Sequence, residues 1–459
     1  MQITSYKQAD TFLQSLIRPA IFARLEDQKE LADPLDRMRR LLELLGNPHQ
    51  SYPSIHISGT SGKGSVAYLI AKMLSVAGYT VGLTTSPHLE RVTERMQINS
   101  APLSDSNFVQ LVDELVPIVE KMEKEELGKP SYFEAVLALA FLSFSRNNVD
   151  IAVVEVGLEG KYDGTNVLKP LIGVLTNISL DHTAILGNSV ELIAQEAVSF
   201  IKEGMHLVTG VDQPSIQRII NDTAFAKDVP VSYMGRDFMY EVESANEEGS
   251  VFHWKQGKVR SDNLQLLLPG FFQIENAALA IEAVSQLTEF VVSGEHVRTA
   301  LASAVFPGRF ELFHVKSAEK MYEVVLDGAH NPAKMQAFLT SLTTFYPNKR
   351  KRFIVAFKKQ KEIESMLEKI CAVADEILVT SFAVVTDTDY LAAVEPKEIA
   401  LICQKLGYSG NIIITKHSDE AWNKVTENYK ENDLIIITGS LYLAGEMRTL
   451  ITAALQSAN

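Results

Sequence analysis

The feature that most constrains this chain is an alternation of two periodicities. Short, unbroken apolar runs at residues 55–58, 80–84, 151–156, 172–177 and 206–209 are separated by stretches of helical period, such as 65–77 and 131–144. Strands that are apolar on both sides need helices on both faces, so the pattern predicts a mostly parallel sheet with ligands gathered at the carboxyl ends of its strands. Residues 210–260 are more polar and less regular and read as an excursion with short strands, followed by a turn at Pro269-Gly270 and a helix over 275–286. A second alternating series follows, with strands expected near 323–326, 353–356, 376–380, 411–415 and 434–438, and reads as a smaller doubly wound α/β unit. The predicted division is 1–304 and 305–459. No internal repeat of fixed period and no low-complexity segment is found.

At 459 residues the chain exceeds the size at which one core stops growing, which also favours two domains. Lys and Arg number 43 against 57 Asp and Glu, a net charge of −14 that argues against a nucleic-acid or anionic-membrane partner. Any anion site must therefore be built locally. Cys371 and Cys403 are the two cysteines and have no CxxC or Cys/His spacing, so neither a disulfide framework nor a structural zinc site is suggested. The opening MQITSYKQAD lacks the basic-then-apolar pattern of a secretory signal, and no apolar run has the length of a membrane helix. A cytoplasmic monomer is expected.

The segment Gly59-Thr60-Ser61-Gly62-Lys63-Gly64-Ser65 lies between an expected strand and an expected helix. In that position glycines let backbone N–H groups approach phosphate oxygens at a helix N-terminus. Lys63 suits the β and γ phosphates, and Ser65 suits Mg²⁺. The match to GxxxxGK[ST] is imperfect, because Gly64 separates Lys63 from Ser65. A flexible Gly/Ser turn is the bland alternative. Glu155 ends an apolar strand, where a carboxylate is costly unless it meets a cation, so a Mg²⁺ ligand is a fitting role beside that of a solvated strand-end acid. Arg309 can fork onto phosphate oxygens, and Asp327 and His330 lie on an expected strand-to-helix turn suited to nucleotide contact.

With its neighbours, the GTSGKGS loop resembles the GTNGKGS loop of the folylpolyglutamate and dihydrofolate synthase family, a branch of the Mur-type amide ligases. Matching segments run in order from Leu45-Gly46-Asn47-Pro48 through Thr85-Ser86-Pro87-His88-Leu89, Tyr132-Phe133-Glu134-Ala135, Val154-Glu155-Val156-Gly157, Asp181-His182 and Leu186-Gly187. They continue with Gln273 and Asn276, Pro307-Gly308-Arg309-Phe310-Glu311, Asp327-Gly328-Ala329-His330-Asn331-Pro332 and Thr438-Gly439-Ser440. The resemblance implies an ATP-binding domain over 1–304 and a Rossmann-like glutamate-ligase domain over 305–459, with the site between them. It implies that Ser65, Ser86 and Glu155 hold Mg²⁺ and that His182 binds a second metal ion. It further implies that Gly59 to Ser65, Asn276, Arg309 and Asp327 contact ATP and that His330 and Ser440 help bind L-glutamate. Lys63, Glu155, His182 and His330 are then the catalytic set. The implied reaction joins glutamate to a folate or pterin carboxylate through an acyl-phosphate.

Several positions depart from that pattern. The family carries a lysine, whose carbamate serves the second metal site, at the position of Ala197. Its Gly-Gly-Arg reads Glu159-Gly160-Lys161, its acidic DKD segment reads Phe357-Lys358-Lys359-Gln360-Lys361, and the histidine of its HQxxNA motif reads Phe272. Two other readings stay open: ligation of a different carboxylate and amino acid, and a nucleotide-binding protein without ligase turnover.

Overall fold

The computed structural model describes residues 2–17, 35–158, 160–181, 187–317, 320–359, 361–383 and 393–457. His182, Leu186, Glu159 and Gln360 lie outside the described residues.

The first sheet is built from β1 (Ser54–Ser58), β2 (Val81–Thr84), β3 (Gln97–Ile98), β4 (Ala101–Pro102), β5 (Ile151–Glu155), β6 (Ile172–Leu175), β7 (His206–Thr209) and β8 (Val231–Tyr233). Their order is β4-β3-β2-β5-β1-β6-β7-β8. Along the order from β2 to β8 every pairing is parallel, while β3 pairs antiparallel with both β2 and β4 at one edge. Strands β1, β2, β5 and β6 are buried at every position, as the unbroken apolar runs require. Side chains nevertheless alternate between two cores. Ile55, Ile57, Ile151 and Val153 face the helices Lys63–Val76 and Phe271–Ser285. Ala152 and Val154 face Asp105–Met122 and Tyr132–Arg146.

Residues 210–260 differ from the expected short strands. They hold a helix, Pro214–Ala226, then edge strand β8 and most of a separate antiparallel sheet of β9 (Phe238–Asn246), β10 (Gly249–Gln256) and β11 (Val259–Leu266). This sheet covers the first core with one face only. Phe238, Phe252, Trp254, Leu264 and Leu266 point inward, while Glu243, Lys255, Arg260 and Asp262 are exposed. A half-solvated sheet reads as mixed polarity, which is why its sequence looked irregular.

The second sheet contains β12 (Glu311–Ser317), β13 (Lys320–Leu326), β14 (Arg350–Val355), β15 (Glu376–Val379), β16 (Asn411–Ile414) and β17 (Asp433–Thr438) in the order β12-β13-β17-β14-β15-β16. The four pairings from β13 to β16 are parallel, and β12, unforeseen in the sequence, adds an antiparallel edge. At the amino-terminal ends of these strands Arg352 is buried against Glu376 (2.6 Å) and Asp433 (3.3 Å). The opposite, carboxyl ends face the first sheet. Contacts between the two halves include the Phe271 N–H donating to Ser341 Oγ at 3.1 Å and Arg448 paired with Glu90 at 2.7 Å, its guanidinium also held by Glu311 of its own half. Cys371 and Cys403 are free thiols. No helix among the described residues is long and apolar enough to cross a membrane.

Candidate active site

The loop after β1 is shaped by two glycines and by the chain that leaves β6. Gly59 and Gly62 take φ of +122° and +84°, which side-chain-bearing residues rarely adopt. A Cβ on Gly62 would also stand 2.3 Å from Asn276 Oδ1, so the loop and the helix Phe271–Ser285 meet at a point where only glycine fits. The Thr60 and Ser61 N–H groups donate to the backbone and side-chain oxygens of Asn177 at 2.9 and 3.1 Å, while Thr176 Oγ1 and Asn177 Nδ2 donate to Ser61 O. Lys63 folds back so that Nζ donates to Gly59 O at 2.6 Å. The Ser61 hydroxyl is buried without a hydrogen-bond partner, an unsatisfied group aimed into a loop that begins a 14-residue helix. The N-terminus of that helix, with the loop before it held in place by its hydrogen bonds to Asn177, and Lys63 together form a phosphate cradle.

Strand pairing brings Glu155 to this loop, because Ile57 of β1 is in register with Glu155 of β5. Glu155 Oε2 accepts the Ser86 N–H at 2.8 Å and lies 3.4 Å from where a Cβ on Gly64 would be. Burial pushes the Glu155 carboxyl up, and the charges of Lys63, Arg309 and Lys334 pull it back only in part. A buried carboxylate beside two serines, Ser65 and Ser86, is a donor set of the hard-oxygen kind that suits Mg²⁺.

The facing wall comes from the second sheet. Asp327 follows β13, and its carboxylate accepts the Phe310 N–H at 2.9 Å and the Ala329 N–H at 2.8 Å, fixing the turn that carries Arg309. Burial pushes the Arg309 pKa down, opposed by the carboxylates of Asp327 and Glu155. His330 Nδ1 bonds Gly328 O at 2.7 Å, which assigns the proton to Nδ1 and leaves Nε2 to accept from Lys334 Nζ at 3.2 Å. Burial, with Lys334 and Lys361 nearby, holds the His330 pKa well below the ordinary value. The pKa of Lys334 is lowered to about 7 by burial and by Lys63, Lys361 and Arg309, with Asp181 opposing. Ser440, just beyond β17, accepts the Tyr442 N–H at 3.1 Å.

These walls enclose one cavity of about 720 Å³. It is lined by Thr60 to Ser65, Ser86, Glu155, Asn276, Arg309, Asp327, His330 and Ser440. Gly59 sits behind the lining, at the base of the loop. Among the lining residues not singled out from the sequence, Asn177 and Lys334 bear most on the site. Asn177 fixes the loop from a neighbouring strand end, which no local pattern signals. Lys334 had a signal, since it stands in the first turn of the helix that follows the strand-to-helix turn carrying Asp327 and His330. The departures are placed as well. Phe272, Lys358 and Lys361 line the cavity, and Lys161 lies with Nζ 5.0 Å from the Tyr162 ring centre. Ala197 is buried among Ile193, Val198 and Phe200.

Residues 57–284 match the model of the Mur ligase middle domain, and residues 311–450 that of the dihydrofolate synthetase C-terminal domain. The chain is 34% identical to the dihydrofolate synthase/folylpolyglutamate synthase of Bacillus subtilis, over 90% of this chain and 94% of the relative. It is 31% identical to the folylpolyglutamate synthase of Lacticaseibacillus casei, over 90% and 93% respectively. The Mycobacterium tuberculosis folylpolyglutamate synthase complexed with ADP superimposes with a TM-score of 0.85 at 29% identity, covering 97% of this chain and 98% of that one.

Proposed function

Because the chain belongs to the dihydrofolate synthase/folylpolyglutamate synthase family, we propose that it is an ATP-dependent ligase that adds L-glutamate to a folate or pterin carboxylate. The observation that carries this reading is the pairing, across one cavity, of a phosphate loop from the first sheet with Arg309, Asp327 and His330 from the second. A nucleotide held on one wall faces groups on the other that suit its phosphates and an incoming amino acid.

In this reading Gly59 to Ser65 and Asn276 of residues 1–304 bind ATP together with Arg309 and Asp327 of residues 305–459, and residues 305–459 also supply the glutamate side through His330 and Ser440. Ser65, Ser86 and Glu155 would hold Mg²⁺, which supplies charge neutralisation at the phosphates when bound. Lys63 leaves Gly59 O to meet the β and γ phosphates. A substrate carboxylate oxygen bonds to the γ-phosphorus as the bond to ADP breaks, and Lys63 and Arg309 stabilise the charge on the transferred group. The glutamate amine then attacks the acyl carbon, releasing inorganic phosphate and a proton. Holding both partners between two walls supplies orientation and excludes the water that hydrolyses an acyl-phosphate. The role given to His182 as a metal ligand rests on the family pattern alone. A cytoplasmic monomer with small-molecule partners completes the proposal, and the net charge of −14 fits neither nucleic acid nor an anionic membrane as partner.

The test is mass spectrometry of products after incubating purified protein with MgATP, glutamate and a panel of dihydropteroate and reduced folates. A product heavier by one glutamyl residue is expected. Folded, ADP-binding protein that makes no such product from any member of the panel would overturn the reading.

A further inference from the structure

The described residues do not fit a second divalent cation, and lysines occupy the region where one would act. The family pattern places a carbamate-bearing lysine at position 197, whereas Ala197 offers no donor and is 1% exposed in an apolar core. Lys202, the next lysine in the chain, has its Nζ 3.4 Å from Ser199 O and does not line the cavity. Asp181, adjacent to His182, has one carboxylate oxygen 2.6 Å from Lys361 Nζ and the other accepting from Asn331 Nδ2 at 2.9 Å. Glu196 faces the cavity, with one oxygen accepting the Lys161 N–H at 3.4 Å. A dication approaching Asp181 would therefore meet the ammonium of Lys361 on the carboxylate and that of Lys334 beside it. Like charge disfavours that approach.

The same groups make a positive wall. Lys334 sits in the first turn of the helix Pro332–Phe345, its N–H capped by Asn331 Oδ1 at 2.8 Å. It lies within electrostatic reach of Lys63, Arg309 and Lys361, and of Glu155 on the phosphate-loop side. Its Nζ is held over the cavity by His330 Nε2. Lys361 is neutralised by Asp181, which leaves Lys334, beside Arg309, as a cation on this wall placed to meet an anion arriving from the phosphate loop.

We propose that Lys334 contacts the transferred phosphoryl group, with Lys361 as a positioning residue that holds Asp181, and that this pair replaces a second divalent cation so that the chain works with one Mg²⁺. The proposal rests on the ligase reading above. Lys334 acts here as a charge: phosphorus changes its oxygen partner and no proton moves to or from the lysine in that step.

The test counts metal ions and probes the phosphate separately from turnover. Mn²⁺ bound per chain is measured by electron paramagnetic resonance in the presence of the non-hydrolysable ATP analogue AMPPCP. One tight Mn²⁺ per chain is expected, and two would overturn the single-metal claim. Lys334→Met is then compared with wild type for binding of ADP and AMPPCP, with the ADP-induced rise in denaturation temperature as the check on folding. AMPPCP affinity should fall roughly tenfold or more, as for loss of one charged hydrogen bond, with ADP affinity unchanged, and Lys334→Arg should recover most of the loss. An equal fall for both nucleotides, or none, would overturn the role of Lys334. In turnover, kcat of Lys334→Met should fall by about 10²-fold, the usual cost of removing one transition-state donor, with a smaller change in KM for ATP. A wild-type protein that makes no glutamylated product sinks the ligase reading, while the Mn²⁺ count and the AMPPCP-to-ADP comparison still decide the metal number and the lysine contact.

Discussion

Replacing Gly62 by alanine tests the phosphate loop at its tightest point. Gly62 takes φ +84°, and moving a residue with a Cβ into the left-handed region costs about 1–2 kcal/mol. The new methyl would also fall 2.3 Å from Asn276 Oδ1, so Asn276 or the loop must move. If Asn276 moves, its buried hydrogen bond to Gln273 Oε1, 3.0 Å long, is lost at a cost of about 1–3 kcal/mol. The two contributions add to about 2–5 kcal/mol. If the loop keeps its shape, that cost appears as lower stability. If the loop relaxes, the donors leave the phosphate and the cost appears in binding, where 2–5 kcal/mol corresponds to a loss of about 30-fold to several thousand-fold. Isothermal titration with ADP and urea denaturation of the same samples separate the two routes. A Gly62→Ala protein whose ADP affinity stays within about threefold of wild type, with no lower urea midpoint, would refute the assigned geometry.

Three further outcomes are expected. Arg352→Met leaves Glu376 and Asp433 with the partly exposed Arg350 as their remaining cationic partner, at 3.8 and 3.2 Å, and should destabilise the second sheet domain by up to about 3–5 kcal/mol, seen as faster hydrogen exchange in β14, β15 and β17; unchanged exchange there would contradict the buried pairing. AMPPCP binding should weaken as pH rises above about 7, because Lys334 is then neutral in the free protein and must take up a proton to meet the anion. Titration in buffers of different ionisation enthalpy at pH 8 should show an uptake approaching about one proton beyond that of Lys334→Met, and equal uptake in both proteins would count against it. Glu155→Gln removes the only carboxylate proposed for Mg²⁺ and should lower kcat at saturating ATP by about 10²-fold or more while raising the Mg²⁺ concentration needed; an unchanged Mg²⁺ dependence would exclude Glu155 as a ligand.

Much of this architecture was legible because parallel strands covered on both faces need unbroken apolar runs, and those runs stand out in β1, β2, β5, β6, β14, β15 and β17. The three-stranded sheet β9 to β11 was not read as such, since one of its faces is wet and its residues mix Trp254 and Phe252 with Glu243 and Lys255. Edge strand β12 was missed for a related reason: an edge needs only one good partner, here β13, and its sequence carries little signal of that pairing. In the site, Lys63, Glu155, Asp327 and His330 could be nominated because each stands at the end of a strand or the start of a helix, where side chains of parallel sheets meet ligands.

The amino-acid sequence by itself determined the alternating α/β class, the phosphate loop and the identity of the groups at the strand ends, because periodicity and glycine placement are local properties of the chain. Only the tertiary structure decided which of those groups share a cavity. Asp181 meets Lys361 across 180 residues, and Asn177 fixes Ser61 across 116. It also decided that position 197 is sealed in an apolar core while Lys334 faces the phosphate loop. Charge neighbours and burial depend on how separate segments pack, and they set what a lysine or carboxylate can do.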